Sequence, residues 1–270
     1  GEALMELGEF AAARSVLDEA VAAADRASMP RAKAAAQLVG MLVQLHSGEQ
    51  GNWSDDSQRL ANEVIPLLER EGIDEELANA WRLIAMAQQI AGRHAQAAEA
   101  IERVIEHARR AGNERLVARS GLGLSFSALF GPTPVPQAIA QCEAIVGDGM
   151  SDRQVESLIG CKIAQLKAMN GEFETARSLY RRARALLRAL GEGVLAASTG
   201  LDLVVVESLA GDLATAEREA RADYEFLESR GETYFLSTLA ALLARVVRDQ
   251  GRDDEALALS KAAEAAAAED

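Results

Sequence analysis

Apolar residues recur along this chain at three- and four-residue intervals rather than in the strict alternation of a half-buried strand. Trp81, Ile84, Ala85 and Gln88 lead up to Gly92. Ile163, Ala164 and Lys167 lead to Gly171, Leu203, Val204 and Glu207 to Gly211, and Leu243, Ala244 and Val247 to Gly251. The spacing resumes after each turn, as in Ala176, Tyr180 and Ala183. Only the β-branched run Val204-Val205-Val206 reads as a strand, and the helical period around it overrides that reading. The pattern predicts helices joined by short turns and no sheet.

The turns repeat. Gly8-Glu9-Phe10, Gly92-Arg93-His94, Gly171-Glu172-Phe173 and Gly211-Asp212-Leu213 are each followed, after two residues, by an alanine: Ala13, Ala97, Ala176 and Ala216. Gly251 and Ala256 keep the frame without the apolar residue between. Gly171, Gly211 and Gly251 stand 40 residues apart, and Gly131 and Gly92 extend the series backwards. Gly8 lies two periods before Gly92, with slack near Gly48 and Gly51. A glycine there ends one helix in a left-handed cap, and the alanine lets two helix backbones approach closely. These glycines are structural punctuation, and no phosphate-loop motif occurs. The chain reads as about six helical hairpins after a truncated first one.

Caps fit this reading. Ser151-Asp152-Arg153-Gln154 has the form of a capping box, and Thr133-Pro134 and Met29-Pro30 open helices with a proline in the first turn. Two repeats depart. Gly131-Pro132-Thr133-Pro134-Val135-Pro136 widens one turn, and His46 to Asp56 forms a long polar connection. Pro66 falls inside the next helix, which should kink there or start later.

The segments Leu7-Gly8-Glu9-Phe10-Ala11-Ala12-Ala13-Arg14 and Asn170-Gly171-Glu172-Phe173-Glu174-Thr175-Ala176-Arg177 resemble the turn and second helix of tetratricopeptide (TPR) repeats. Trp81 with Ile84 and Ala85 resembles the first-helix signature. The resemblance covers nearly the whole chain, with a period longer than the standard one of about 34. It implies an all-α, right-handed superhelical solenoid forming a single domain over residues 1–270. The stretches Trp81 to Gly92, His107 to Asn113 and Gly131 to Ile139 also resemble the C-terminal TPR regions of large bacterial signalling ATPases. In those proteins an ATPase module precedes the repeats, and a nucleotidyl cyclase or a LuxR-type DNA-binding domain completes the chain. By that resemblance the sequence is expected to be a fragment of a longer protein.

Charge narrows the partners. Asp and Glu total 42 against 28 Lys and Arg, a net charge of -14, which repels phosphate and argues against nucleic-acid binding. Cys142 and Cys161 form no CxxC pair and are too few for a disulfide framework, so a reduced, cytoplasmic setting is expected. No apolar run is long enough to span a bilayer. His46, His94 and His107 show no metal-ligand spacing; His94 takes the packing position that Phe10 and Phe173 hold elsewhere. Gly121 and Gly123 read as sites of close helix packing. Arg181, Arg182, Arg184 and Arg188 form a basic patch near a helix end, read as dipole compensation and solubility. The residues suggest no enzyme, cofactor or metal.

In helical-hairpin solenoids the first helices line the concave face. Register places Asn79, Arg82, Met86 and Gln89 there, then Gly121 and Ser125, then Cys161, Gln165 and Ala168. Ser198, Leu201, Val205 and Ser208 follow, then Thr238, Ala241, Arg245 and Arg248. The expected function is a scaffold binding a protein or peptide segment, which could be the parent chain's own ATPase domain. The alternative is a sensor holding a small ligand in the groove. Leu4, Leu7 and Phe10 on the incomplete first hairpin are an expected edge for homodimer contact.

Overall fold

A computed structural model describes residues 1–46, 52–147 and 152–268. These residues are helices and turns, and no strand occurs among them. The chain divides into two compact units, Gly1–Pro132 and Thr133–Asp270. The first contains α1 (Glu2–Glu6), α2 (Phe10–Arg26), α3 (Pro30–His46), α4 (Trp53–Glu71), α5 (Asp74–Ile90), α6 (His94–Arg110) and α7 (Glu114–Phe130). The second contains α8 (Val135–Gly147), α9 (Arg153–Met169), α10 (Phe173–Ala189), α11 (Gly193–Ser198), α12 (Gly200–Leu209), α13 (Leu213–Ser229), α14 (Tyr234–Asp249) and α15 (Asp253–Ala267). Helices α11 and α12 together fill the place of one first helix, interrupted at Thr199.

Each hairpin packs as the spacing requires. Gly8, Gly92, Gly171, Gly211 and Gly251 have positive φ and close the turns. At Gly171 (φ 82°), its N–H bonds Ala168 O at 2.9 Å and Glu172 N–H bonds Lys167 O at 2.9 Å, satisfying carbonyls that the helix end leaves open. A second series, Gly72, Gly112, Gly191 and Gly231, ends the second helices in the same way. Gly131 departs from the rule. Its φ is -87°, and a side chain there would run into Ser127 O. Its ψ of -176° makes it extended, the conformation favoured for a residue that precedes a proline, here Pro132. Gly48, Gly51 and Ser151 lie outside the described residues.

Caps refine the reading. Asp152 caps α9, its carboxylate accepting from Gln154 and Val155 N–H at 3.1 and 3.0 Å. Pro30 opens α3 as its spacing predicts, whereas α8 starts at Val135, one residue past Pro134. Helix α4 runs unbroken through Pro66. Pro66 and Asn62 are both exposed, so the carbonyl that loses its partner faces water.

Apolar layers hold each unit. Leu38, Leu42, Leu68 and Leu83 fill the main core of the first, where Trp53 also donates its indole N–H to Met41 O at 2.6 Å. Leu227, Leu239, Leu243 and Val247 fill that of the second. Consecutive first helices pack directly, α3 on α5 in one unit and α9 on α12 and α12 on α14 in the other. Consecutive second helices make no comparable backbone approach among the described residues. First helices therefore form the inner layer within the second unit.

Ion pairs tie neighbouring repeats in the second unit. Arg184 reaches from α10 to Asp223 on α13; both side chains are almost wholly buried. Its Nη1 donates to Asp223 Oδ2 at 2.7 Å and to Tyr180 Oη at 2.6 Å, and Nη2 donates to Asp223 Oδ1. Burial pushes the Asp223 carboxyl up to about 6, against the pull of Arg184. The basic patch read from sequence is thus divided: Arg181, Arg182 and Arg188 are exposed, and Arg184 is an internal tie. Gly200 is part of it, since a Cβ there would lie 2.5 Å from Asp223 Oδ2.

The turns, the helix interiors and the buried pair each give a stability prediction. Gly171→Ala should cost about 1 kcal/mol, because a side chain strains the left-handed backbone. Gly40→Ala, inside α3 with open space around it, should gain about 0.5–1 kcal/mol, and urea melts monitored by circular dichroism would show both. Arg184→Met or Asp223→Leu alone should lose roughly 3–5 kcal/mol by leaving a buried charge unpaired, while the double variant should recover most of it. A double variant that loses the sum of the two single losses would show that the pair has no coupling.

Candidate interaction surface

Helix α5 carries Asn79, Arg82, Met86 and Gln89 at spacings of three and four, so they form one stripe. All four are half-buried. Met86 packs on the core below. Gln89 Nε2 donates to Gly123 O at 3.1 Å and to Ser127 Oγ at 3.4 Å, tying α5 to α7. Gly123 permits this approach; a Cβ there would meet Ile101 Cδ1 at 3.2 Å. Asn79 also lines a cavity of about 500 Å³ bounded by α1, α2, α3 and α5.

Ser125 sits differently from its expected place. It is fully buried, its hydroxyl donating to Leu122 O at 2.7 Å, and Gly121 beside it is buried too. Helix α7 turns this edge into its own packing surface, so Ser125 offers a partner no area.

In the second unit Cys161 and Gln165 are also buried. Cys161 packs with Ala164, Ala168, Tyr180 and Leu203. Burial raises its thiol far above the ordinary range and that of Cys142 to about 11, so neither is a ready thiolate. Gln165 Nε2 donates to Asp202 Oδ1, which also accepts from Lys162 Nζ at 2.5 Å. Lys162 is one repeat, 40 residues, before Asp202. Opposite charges at equivalent register positions were the readable signal for this tie. On α12, Leu201 and Val205 are half-buried, and Leu201 packs on the apolar layer. Arg245 and Arg248 on α14 are exposed, with Arg248 bonded to the adjacent Asp249 at 3.0 Å.

His94 serves packing and His107 a local tie. His94 lies against Phe130, ring centroids 5.9 Å apart. His107 Nδ1 lies 2.7 Å from Asp74 Oδ1, and this hydrogen bond, with Arg110 nearby, holds the Asp74 carboxyl below its usual range. His46 ends α3, and its side chain is outside the described set. Among the described residues no three His, Cys, Asp or Glu side chains gather as a metal site. No described helix is long and apolar enough to cross a membrane.

No protein-family model matches the chain, and no curated protein matches it. Solved structures do. The apo form of RapI aligns over 100% of this chain and 97% of its own, with a TM-score of 0.76 and 14% identity. A Rap protein complexed with Competence and Sporulation Factor aligns over 98% of this chain and 72% of its own, with a TM-score of 0.67 and 13% identity. PH0952 from Pyrococcus horikoshii is a Signal Transduction ATPase with Numerous Domains that carries a tetratricopeptide repeat sensor. It aligns over 96% of this chain and 47% of its own, with a TM-score of 0.56 and 12% identity. At these identities the likeness is one of fold: an all-α solenoid of TPR-like helical hairpins.

Proposed function

We propose that this chain is a non-catalytic scaffold whose first helices bind an extended protein or peptide segment, acting in bacterial signalling or transcription regulation in the cytoplasm. One observation carries the reading. The first helices of the hairpins carry half-buried polar and apolar side chains in rows: Arg82, Met86 and Gln89 in the first unit, and Leu201 and Val205 in the second, where Arg245 and Arg248 add exposed cations. Such rows suit a ligand read residue by residue, with backbone and side chains both engaged. The complex formed by the structurally similar Rap protein and the sensor role printed for PH0952 support it. The segment could belong to a separate protein or to an ATPase domain of a longer parent chain. The cavity beside Asn79 favours a second reading, a sensor for a small ligand.

Panning the whole chain against a randomised hexapeptide library separates the two. The scaffold reading expects enriched sequences whose affinity falls at least about fivefold in Arg82→Ala or Arg245→Ala, a loss near that of one charge-assisted hydrogen bond. No enrichment, together with a native mass spectrum carrying a small adduct lost on denaturation, would favour the sensor.

A further inference from the structure

Helices α5 and α7 are each 17 residues long and begin 40 residues apart, at Asp74 and Glu114. The stripe Asn79, Arg82 and Met86 on α5 therefore has its counterpart in Arg119, Leu122 and Phe126 on α7, and Phe130 continues it by one turn. Arg119, Phe126 and Phe130 are exposed, and Leu122 is half-buried.

Two chemistries stand along this face. Near its C-terminal end the rings of Phe126 and Phe130 stack with centroids 6.0 Å apart, and His94 backs Phe130. Phe126 is 37% exposed and Phe130 58%. Neighbouring rings left in water forgo the burial that stabilises them in a core, and apolar patches of this kind mark contact sites. Two turns earlier stands Arg119. No described residue pairs with it, whereas Arg103, Arg110, Arg177, Arg221 and Arg252 each pair with a glutamate. One period before Arg119 is Asn79, so the preceding repeat places no carboxylate at that register. Phe126 follows Arg119 by seven residues, a helical rise of about 10 Å. Three residues of extended chain, at about 3.3 Å each, cover the same distance.

We propose that this face of α7 binds an extended segment that sets an aspartate or glutamate carboxylate on Arg119 and, three residues along, a large apolar side chain on the Phe126 and Phe130 rings. The guanidinium gives the carboxylate two parallel hydrogen bonds, and the rings shelter the apolar side chain from water. A side-chain carboxylate is the source rather than a chain terminus, because the exposed face continues one turn past Arg119 to Arg115 and gives the segment room to run on. That the occupant is a peptide rests on the scaffold reading above; the order of cation and rings on α7 does not.

Calorimetric titration of the whole chain with acetylated, amidated peptides at about 0.15 M salt tests this. Gly-Glu-Ala-Ala-Phe-Gly, or its reverse, should bind at least about fivefold more tightly than its Gln-for-Glu and Ala-for-Phe forms, a difference of about 1 kcal/mol in each case. The net charge of -14 opposes the first preference, so general attraction does not produce it. Arg119→Gln should abolish the preference for glutamate over glutamine and keep that for phenylalanine over alanine, and Phe130→Ala should do the reverse. Both side chains are exposed, so both variants keep the fold. Equal binding of the glutamate and glutamine peptides, an unchanged glutamate preference in Arg119→Gln, or no binding of any of these peptides would overturn the inference. So would tighter binding of acetyl-Phe-Ala-Ala-Gly with a free C-terminal carboxylate, which would make a chain terminus the source. Library peptides that bind Arg119→Gln and Phe130→Ala as tightly as the unaltered chain would then leave the scaffold reading standing, whereas a library without enrichment would count against that reading as well.

Discussion

Everything in this fold depends on how closely one helix backbone can approach the next. Ala13, Ala97, Ala176 and Ala216 have no exposed surface, and Ala256 is buried at the same register position. Each follows a turn by the same interval, so α2, α6, α10, α13 and α15 all bury a methyl group at one register position. Interiors pack at near-crystalline density, and a larger side chain there would force the helices apart. Helix direction, turn length and the facing of the inner helices all follow from that contact. The glycine turns matter because they return the chain at the angle the contact needs.

This is why the architecture could be read from residues alone while the surface could not. The Gly-to-Ala interval is local and recurs, so register errors at one repeat are corrected by the next. Surface assignment needs the rotation of each helix about its own axis, and register fixes that only to within a side chain. Cys161 and Gln165 illustrate the failure. Both share a stripe with inner-face positions, yet the small residues around Cys161 let α9 and α12 close over it, and Asp202 draws Gln165 inward. Ser125 fails for the same reason on α7, where the neighbouring glycines remove the bulk that would have held it out. Asn79, Arg82, Met86 and Gln89 keep partial exposure because α5 carries larger side chains along that stripe.

The charged residues show a second limit. Arg184 stands in a local run of arginines, and nearest neighbours in sequence make it look like a solvated cation. Its partner is 39 residues away on the next second helix, a distance that only the repeat period makes adjacent. Lys162 with Asp202 obeys the same rule across first helices. Comparing charges one period apart, rather than three or four residues apart, would have found both. The half-period series Gly72, Gly112, Gly191 and Gly231 was equally visible, and it separates turns within a repeat from turns between repeats.

These ties have a consequence for specificity. A stack of alanine and leucine layers is permissive, because one apolar ridge fits many grooves with little difference in energy. A buried pair such as Arg184 and Asp223 returns little net stability over apolar residues of the same volume, since both charges must leave water. It does penalise every arrangement in which its partner is missing. A slip by one helical turn would move Asp223 away from Arg184, and Asp202 away from Lys162 and Gln165, leaving several buried charges unmet at once. The second unit therefore carries a register lock that an alanine-rich stack lacks. Gly200 extends it into the backbone, since the carboxylate of Asp223 occupies the space a side chain would take. A scaffold that reads a ligand residue by residue needs its rows held to within a fraction of a turn. Polar ties between neighbouring repeats supply that constraint where apolar packing alone would not.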